Sequence, residues 1–174
     1  YKEALDAYFE ASKLIDEICN ESNILNFTNY NNIAEIYAIK KDYNNALSYY
    51  IKALQEARQL KDKIWLSSAY NNLGYYYYRI DIKDLDKAID YYEKAKKELD
   101  YEQKAHVVFA NVIDENIAHI SLLKKNYKEA YNKYANIKVS EGSYIFRRAN
   151  VFKYQCLVML GDYKGVEKLD DTLS

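Results

Sequence analysis

The sequence predicts an all-α fold, an α-solenoid of antiparallel helix pairs with about nine helices. Three observations predict it. One aromatic-alanine pattern begins at Tyr1, Tyr43, Leu85 and Tyr127, each start 42 residues after the last. A period of this size marks stacked helix pairs, because one pair cannot bury its apolar face without neighbours. There are no prolines and only four glycines in 174 residues, so little interrupts a helix. Apolar residues recur at spacings of three and four along almost the whole chain, the period of one helix face.

Taken in order, helices are expected over 1–19, 24–40, 43–61, 64–80, 84–101, 103–124, 127–138, 143–160 and 163–172. Lys41-Asp42, Asp81 to Asp84, Lys125-Asn126, Glu141 to Ser143 and Gly161-Asp162 mark turns, since Asp, Asn, Ser and Gly favour caps and left-handed backbone. The second helix of each pair reads Tyr43-x-x-Ala46-x-x-x-Tyr50-x-x-Ala53, with Ala88, Tyr92 and Ala95, then Ala130, Tyr134 and Ile137, in the same slots. A degenerate copy begins at Tyr163. The organisation expected is one solenoid domain over 1–174: a half repeat at 1–19, then repeats near 24–61, 64–101, 103–138 and 143–172. The chain opens without methionine on a second helix, so a fragment of a longer chain is expected.

The first helices carry their own pattern: Tyr30, Asn32, Ile33, Ala34 and Tyr37; Tyr70, Asn72, Leu73, Gly74 and Tyr77; then Asn116, Ile117, Ala118 and Ser121. Ala34, Gly74 and Ala118 let a partner helix approach, Ala46, Ala88 and Ala130 do the same from the other side, and tyrosines fill the gaps. A helical glycine costs about 1 kcal/mol against alanine, so Gly74 implies a very tight contact. In the tyrosine run 75–78, Tyr77 is expected in the core, with Tyr75 and Tyr78 sharing another face. Trp65 is expected between repeats.

Together these patterns resemble the tetratricopeptide repeat family over nearly the whole chain, which implies a right-handed solenoid. The period of 42 exceeds that family's usual repeat of about 34. It resembles the extended subclass found in bacterial peptide-sensing regulators and cargo-binding motor light chains. Asn72 to Leu85 spans 13 residues where Asn32 to Tyr43 and Asn116 to Tyr127 span 11, so the turn near Asp81 should bulge. Phe152 and Val166 replace the usual asparagine and alanine in the last repeat, which reads as a cap.

The charge balance limits the partners. A net charge of −1 provides no global field for nucleic acid or an anionic membrane, and direct nucleic-acid binding is not expected. Apolar runs are no longer than about that of Val107 to Ala110, far below the roughly 20 residues that span a bilayer. No signal-peptide pattern precedes Tyr1, and Cys19 and Cys156 form no zinc or disulfide pattern, so the cytoplasm is expected, or the periplasm if a signal lies upstream. His106 and His119 are 13 residues apart on one helix, too far for one metal, and either could pair with Asp114 or Glu115. No phosphate loop, nucleophile elbow or zinc-protease motif occurs. No catalytic residue, cofactor or metal is expected, and the chain is read as non-enzymatic.

By the resemblance, first helices line a concave groove. The inward positions include Thr28, Asn31, Glu35, Ala38 and Ile39; Ser68, Asn71, Tyr75, Tyr78 and Arg79; Val112, Glu115, His119, Leu122 and Leu123; and Arg148, Val151, Gln155, Val158 and Met159. A reader of extended peptide needs amides for the backbone and apolar surface for side chains. Asn31, Asn71 and Gln155 supply amides, Tyr75, Tyr78 and Leu122 supply surface, and Glu35, Arg79, Glu115 and His119 complete the candidate set. Asn32, Asn72 and Asn116 belong to the repeat pattern and are expected either to bond backbone between repeats or to touch ligand. Arg79 and Arg148 are too few for capture of a chain-terminal carboxylate.

The function expected is a scaffold for a peptide or protein segment, as the sensing region of a larger bacterial signalling regulator. The alternative is an assembly module that self-associates through its terminal helices.

Overall fold

The computed structural model describes residues 1–18, 24–79 and 81–173. Cys19 lies outside them. Among the described residues there are nine helices and no strand. They are α1 (Lys2–Ile18), α2 (Ile24–Ile39), α3 (Tyr43–Gln59), α4 (Lys63–Tyr78), α5 (Leu85–Lys97), α6 (Lys104–Leu123), α7 (Tyr127–Ala135), α8 (Tyr144–Leu160) and α9 (Tyr163–Leu173). The chain divides into two compact units, Tyr1–Leu99 and Asp100–Ser174, and the boundary falls between the second and third full repeats.

In the first unit, α2 packs with α3 and α4 with α5 as antiparallel pairs. Ala34, Ala46, Ala53, Ala88 and Ala95 are fully buried, while Tyr50 and Tyr92 fill the spaces those small residues leave. Gly74 meets Tyr92 so closely that a Cβ there would lie 2.7 Å from the ring. Two polar clamps fix the helix pairs. Ser67 donates to the Ala95 carbonyl at 2.8 Å, tying the start of α4 to the end of α5. The Asn29 amide reaches the Tyr8 carbonyl at 3.0 Å and Ser12 Oγ at 2.6 Å, tying α2 to α1.

The tyrosine content has a repeating structural use. Tyr37 stacks on Tyr49 at 5.7 Å, and Tyr77 stacks on Tyr91 at 5.4 Å. Tyr30 and Tyr70 flank these pairs, and Lys52 and Lys94 lie over Tyr49 and Tyr91 at 4.4 and 4.8 Å. Tyr77 is therefore half-exposed in a surface stack. The buried member of the run is Tyr76, whose hydroxyl donates to the Tyr43 carbonyl at 3.0 Å. Trp65 packs edge-on against Phe27 at 5.3 Å, between consecutive repeats.

The second unit repeats the plan with α6, α7 and α8. Ala118, Leu122, Ala130, Tyr134, Ala149 and Cys156 form its core. Phe152 stacks on Tyr134 at 5.3 Å, filling core space where the other repeats carry asparagine. Asn111 stands at the register of Ser67 and exchanges two hydrogen bonds with Lys138: its amide donates to the Lys138 carbonyl at 3.0 Å, and it accepts the Lys138 N–H at 3.1 Å. That clamp holds non-helical backbone, which explains why α7 ends at Ala135 and not at 138 as the period suggested. Nor does α5 run on to 101: Glu98 caps it, and the Asp100 N–H donates to His106 Nδ1 at 2.9 Å. His106 thus binds backbone, not the acids Asp114 or Glu115.

The turns recur as closely as the helices. Lys41, Lys83, Lys125 and Gly161 all have positive φ, each two residues before a helix. The N–H of the following Asp42, Asp84, Asn126 or Asp162 closes onto Tyr37, Tyr77, Ser121 or Leu157 at 2.9 to 3.0 Å. This is the helix-ending motif in which a left-handed residue satisfies orphan carbonyls. Asp42 and Asp84 then cap the next helix through their side chains. The extra residues before Asp84 form the expected bulge, and Asp81 in it reaches the preceding turn, accepting from the Tyr43 hydroxyl at 2.5 Å and pairing with Lys41 at 3.6 Å.

Candidate functional site

In the first unit, the first helices α2 and α4 are joined by polar side chains. The Asn31 amide donates to the Phe27 carbonyl at 2.9 Å, and its oxygen accepts from Asn72 at 3.0 Å. Asn72 therefore bonds a side chain of the neighbouring repeat, not its backbone, and Asn31 is occupied on both sides of its amide. Arg79 pairs with Glu35 at 3.1 Å and reaches the Ala38 carbonyl at 3.4 Å. Glu35 also accepts from the buried Tyr50 hydroxyl at 2.7 Å. Burial first, and then that bond to a carboxylate, push the Tyr50 hydroxyl far above its usual range, so it stays a donor.

Around this network lies an aromatic surface. Tyr75 and Tyr78 stack at 6.0 Å, and the Arg79 guanidinium sits 6.0 Å from the Tyr75 ring. Tyr75 is 44% exposed, Tyr78 and Asn71 are half-buried, and Ala38 is fully buried and lines nothing.

In the second unit, Glu115 is buried and pairs with Arg148 Nε at 2.9 Å. Desolvation raises the Glu115 carboxyl, and Arg148 opposes the shift. His119 packs edge-on against Phe152 at 4.8 Å. Its pKa is lowered by burial and then by Arg148, so it is held neutral. The Arg148 guanidinium lies over Tyr144 and Phe152 at 5.4 and 5.7 Å. Leu122, expected to face a ligand, is buried between α6, α7 and α8 instead. Gln155 is exposed beside Val151, Val158 and Met159, of which Val151 is 64% exposed.

The sequence-predicted residues thus form two groups, each within its own unit. Asn31, Glu35, Tyr75, Tyr78 and Arg79 belong to the network joining α2 and α4, and Glu115 and His119 share Arg148. Asn72, one of the repeat-pattern amides, joins the first network through Asn31, and Tyr50 and Phe152 complete the two networks with only their places in the repeat pattern to mark them. Both arginines already face an acid, which removes the cations that carboxylate capture needs. Among the described residues no cluster of three His, Cys, Asp or Glu could hold a metal, and no helix is long and apolar enough to cross a membrane. The surface can offer stacking, apolar contact and amide hydrogen bonds.

The sequence profile of the tetratricopeptide repeat matches residues 25–97, the stretch holding α2 to α5. Residues 25–97 of the chain are thus tetratricopeptide repeats. Solved tetratricopeptide-like structures share its fold. The apo form of RapI superposes with a TM-score of 0.74 at 19% identity, over 94% of this chain and 46% of that one. The nearly identical TPR-like repeats of a candidate kinesin light chain from Podosopora anserina give 0.70 at 9% identity, over 99% and 84%. BtubC (BKLC) from P. vanneervenii gives 0.62 at 17% identity, over 99% and 87%. In sequence, the uncharacterized protein ycf37 of Cyanophora paradoxa is 34% identical over 110 residues, 63% of this chain. The chain spans 57% of that relative's length and 46% of RapI's. Tetratricopeptide arrays are in general protein-interaction scaffolds.

Proposed function

We propose that this tetratricopeptide array holds an extended peptide or protein segment along its first helices, as the partner-sensing region of a larger regulatory protein. One observation carries the reading: polar groups on these faces are largely paired internally, while rings and aliphatic side chains stay exposed. Tyr75 and, on α8, Val151, Val158 and Met159 remain accessible beside Gln155. Exposed apolar side chains interspersed with satisfied polar pairs suit a partner's alternate side chains without costing buried charge. The pairing of Glu35 with Arg79 between repeats is a contact that a change of pitch would alter.

The test is selection of peptides from a random displayed library on the intact chain, followed by calorimetry. Selected peptides should share a motif and lose at least tenfold in affinity with Tyr75→Ala or Val151→Asp. Unchanged affinity in both variants would overturn the reading.

A further inference from the structure

The opposite side of the second unit carries a different surface. A cleft of about 610 Å³ lies between α7, α8 and α9, with Lys128, Lys153 and Lys168 around it and Tyr131, Leu157 and Leu169 contributing apolar lining. A second, more open cleft of about 710 Å³ shares Lys128, Asn132 and Leu160 with the first and adds Lys125. The two make one elongated trough in which four ammonium groups flank an apolar strip and one central amide. Lys153 and Leu157 project from the side of α8 away from Val151, Gln155 and Val158.

The acids of the trough are already used. Asp162 accepts the Gly165 N–H at 2.9 Å as the cap of α9. Glu129 pairs with Lys133 at 3.6 Å and accepts from Ser121 at 3.3 Å and Asn126 at 3.4 Å. Among the described residues no carboxylate lies within ion-pair distance of Lys128, Lys153 or Lys168. Lys153 is in addition partly buried, and desolvation alone lowers its pKa. A desolvated ammonium without a counter-charge gains more from an incoming carboxylate than a solvated one does.

We propose that this trough docks an extended acidic peptide segment of a partner protein, with carboxylates alternating with apolar side chains. Charge complementarity selects the sign, and the length of two joined clefts selects an extended chain over a compact anion. Asn132, at the junction, can both donate to and accept from a peptide backbone. This site is separate from the first-helix faces, so each can fail without the other.

The experiment is fluorescence anisotropy with the full chain and a labelled twelve-residue peptide of alternating Glu and Leu, its Gln-for-Glu counterpart as control, and inorganic tripolyphosphate as competitor. The acidic peptide should bind at least tenfold tighter than the neutral one, weaken as salt is raised, and lose tenfold or more in the variant Lys128→Gln/Lys153→Gln/Lys168→Gln. Tyr75→Ala should leave it unchanged. Lys128→Glu alone, at an exposed position, keeps the test in force if the triple variant does not fold. Equal binding of the neutral peptide, no loss in either lysine variant, or tripolyphosphate binding as tightly as the peptide would each overturn the proposal.

Discussion

Gly74 and Tyr92 are in backbone-to-ring contact: a Cβ at residue 74 would sit 2.7 Å from two carbons of a ring that is only 1% exposed. Helix propensity alone would favour alanine there by about 1 kcal/mol. Overpacking a fixed ring costs about 1–3 kcal/mol and wins, because Tyr92 has no room to move. Gly74→Ala should therefore lower stability by about 1 kcal/mol, seen as a lower urea midpoint. A raised midpoint would show that α4 and α5 are not held at this separation.

Lys125 adopts φ of 62° where the last turn of the same kind has Gly161 at 69°. Left-handed backbone costs an L-residue about 1–2 kcal/mol, part of which glycine returns through its freer unfolded chain. Lys125→Gly should stabilise by about 0.5 kcal/mol and Gly161→Ala destabilise by about 1 kcal/mol, both by chemical denaturation.

Asn111 secures non-helical chain at Lys138 with two hydrogen bonds. Asn111→Ala leaves the partly buried N–H and carbonyl of Lys138 without their partner, at about 1 kcal/mol. Amide exchange at Lys138 should accelerate while exchange within α4 stays unchanged.

His119 supplies a pH dependence whose sign is fixed. Its folded pKa lies below the ordinary 6.5 through burial and Arg148, so the unfolded chain binds the proton more readily. The stabilisation is fully present above about 6.5 and is lost as pH falls through the folded pKa. Glu115, whose folded pKa is raised above 4.5, acts oppositely: its protonated form is favoured in the fold, and its contribution falls as pH rises through that raised value. Urea titrations at a series of pH values should show stability declining below pH 6.5 in the native chain. The decline should be shallower in His119→Gln.

The repeat architecture was legible because small residues recur at fixed offsets, and Ala46, Ala88 and Ala130 are all fully buried. The tight contact at Gly74 was legible for the same reason. The choice of Tyr76 over Tyr77 was not: neighbours on a helix differ by about 100°, so a run of four identical residues carries no phase of its own. Leu122 and Leu123 were both placed on the groove face, but neighbours on a helix differ by about 100°, and only Leu123 is exposed. The pairs Glu35–Arg79 and Glu115–Arg148 join residues 44 and 33 apart in sequence, and no local pattern announces such partners. The left-handed lysines were hidden too, since lysine is not the residue that signals that conformation.

Partners are proposed to bind along the first-helix faces. Amide hydrogen exchange of the chain, with and without a library-selected peptide, tests this proposal most directly. New protection is expected within α4 around Asn71, Tyr75 and Tyr78, within α6 around His119, or within α8 around Gln155. Protection confined to α1 or α9 would contradict it and leave an assembly module that works through those helices.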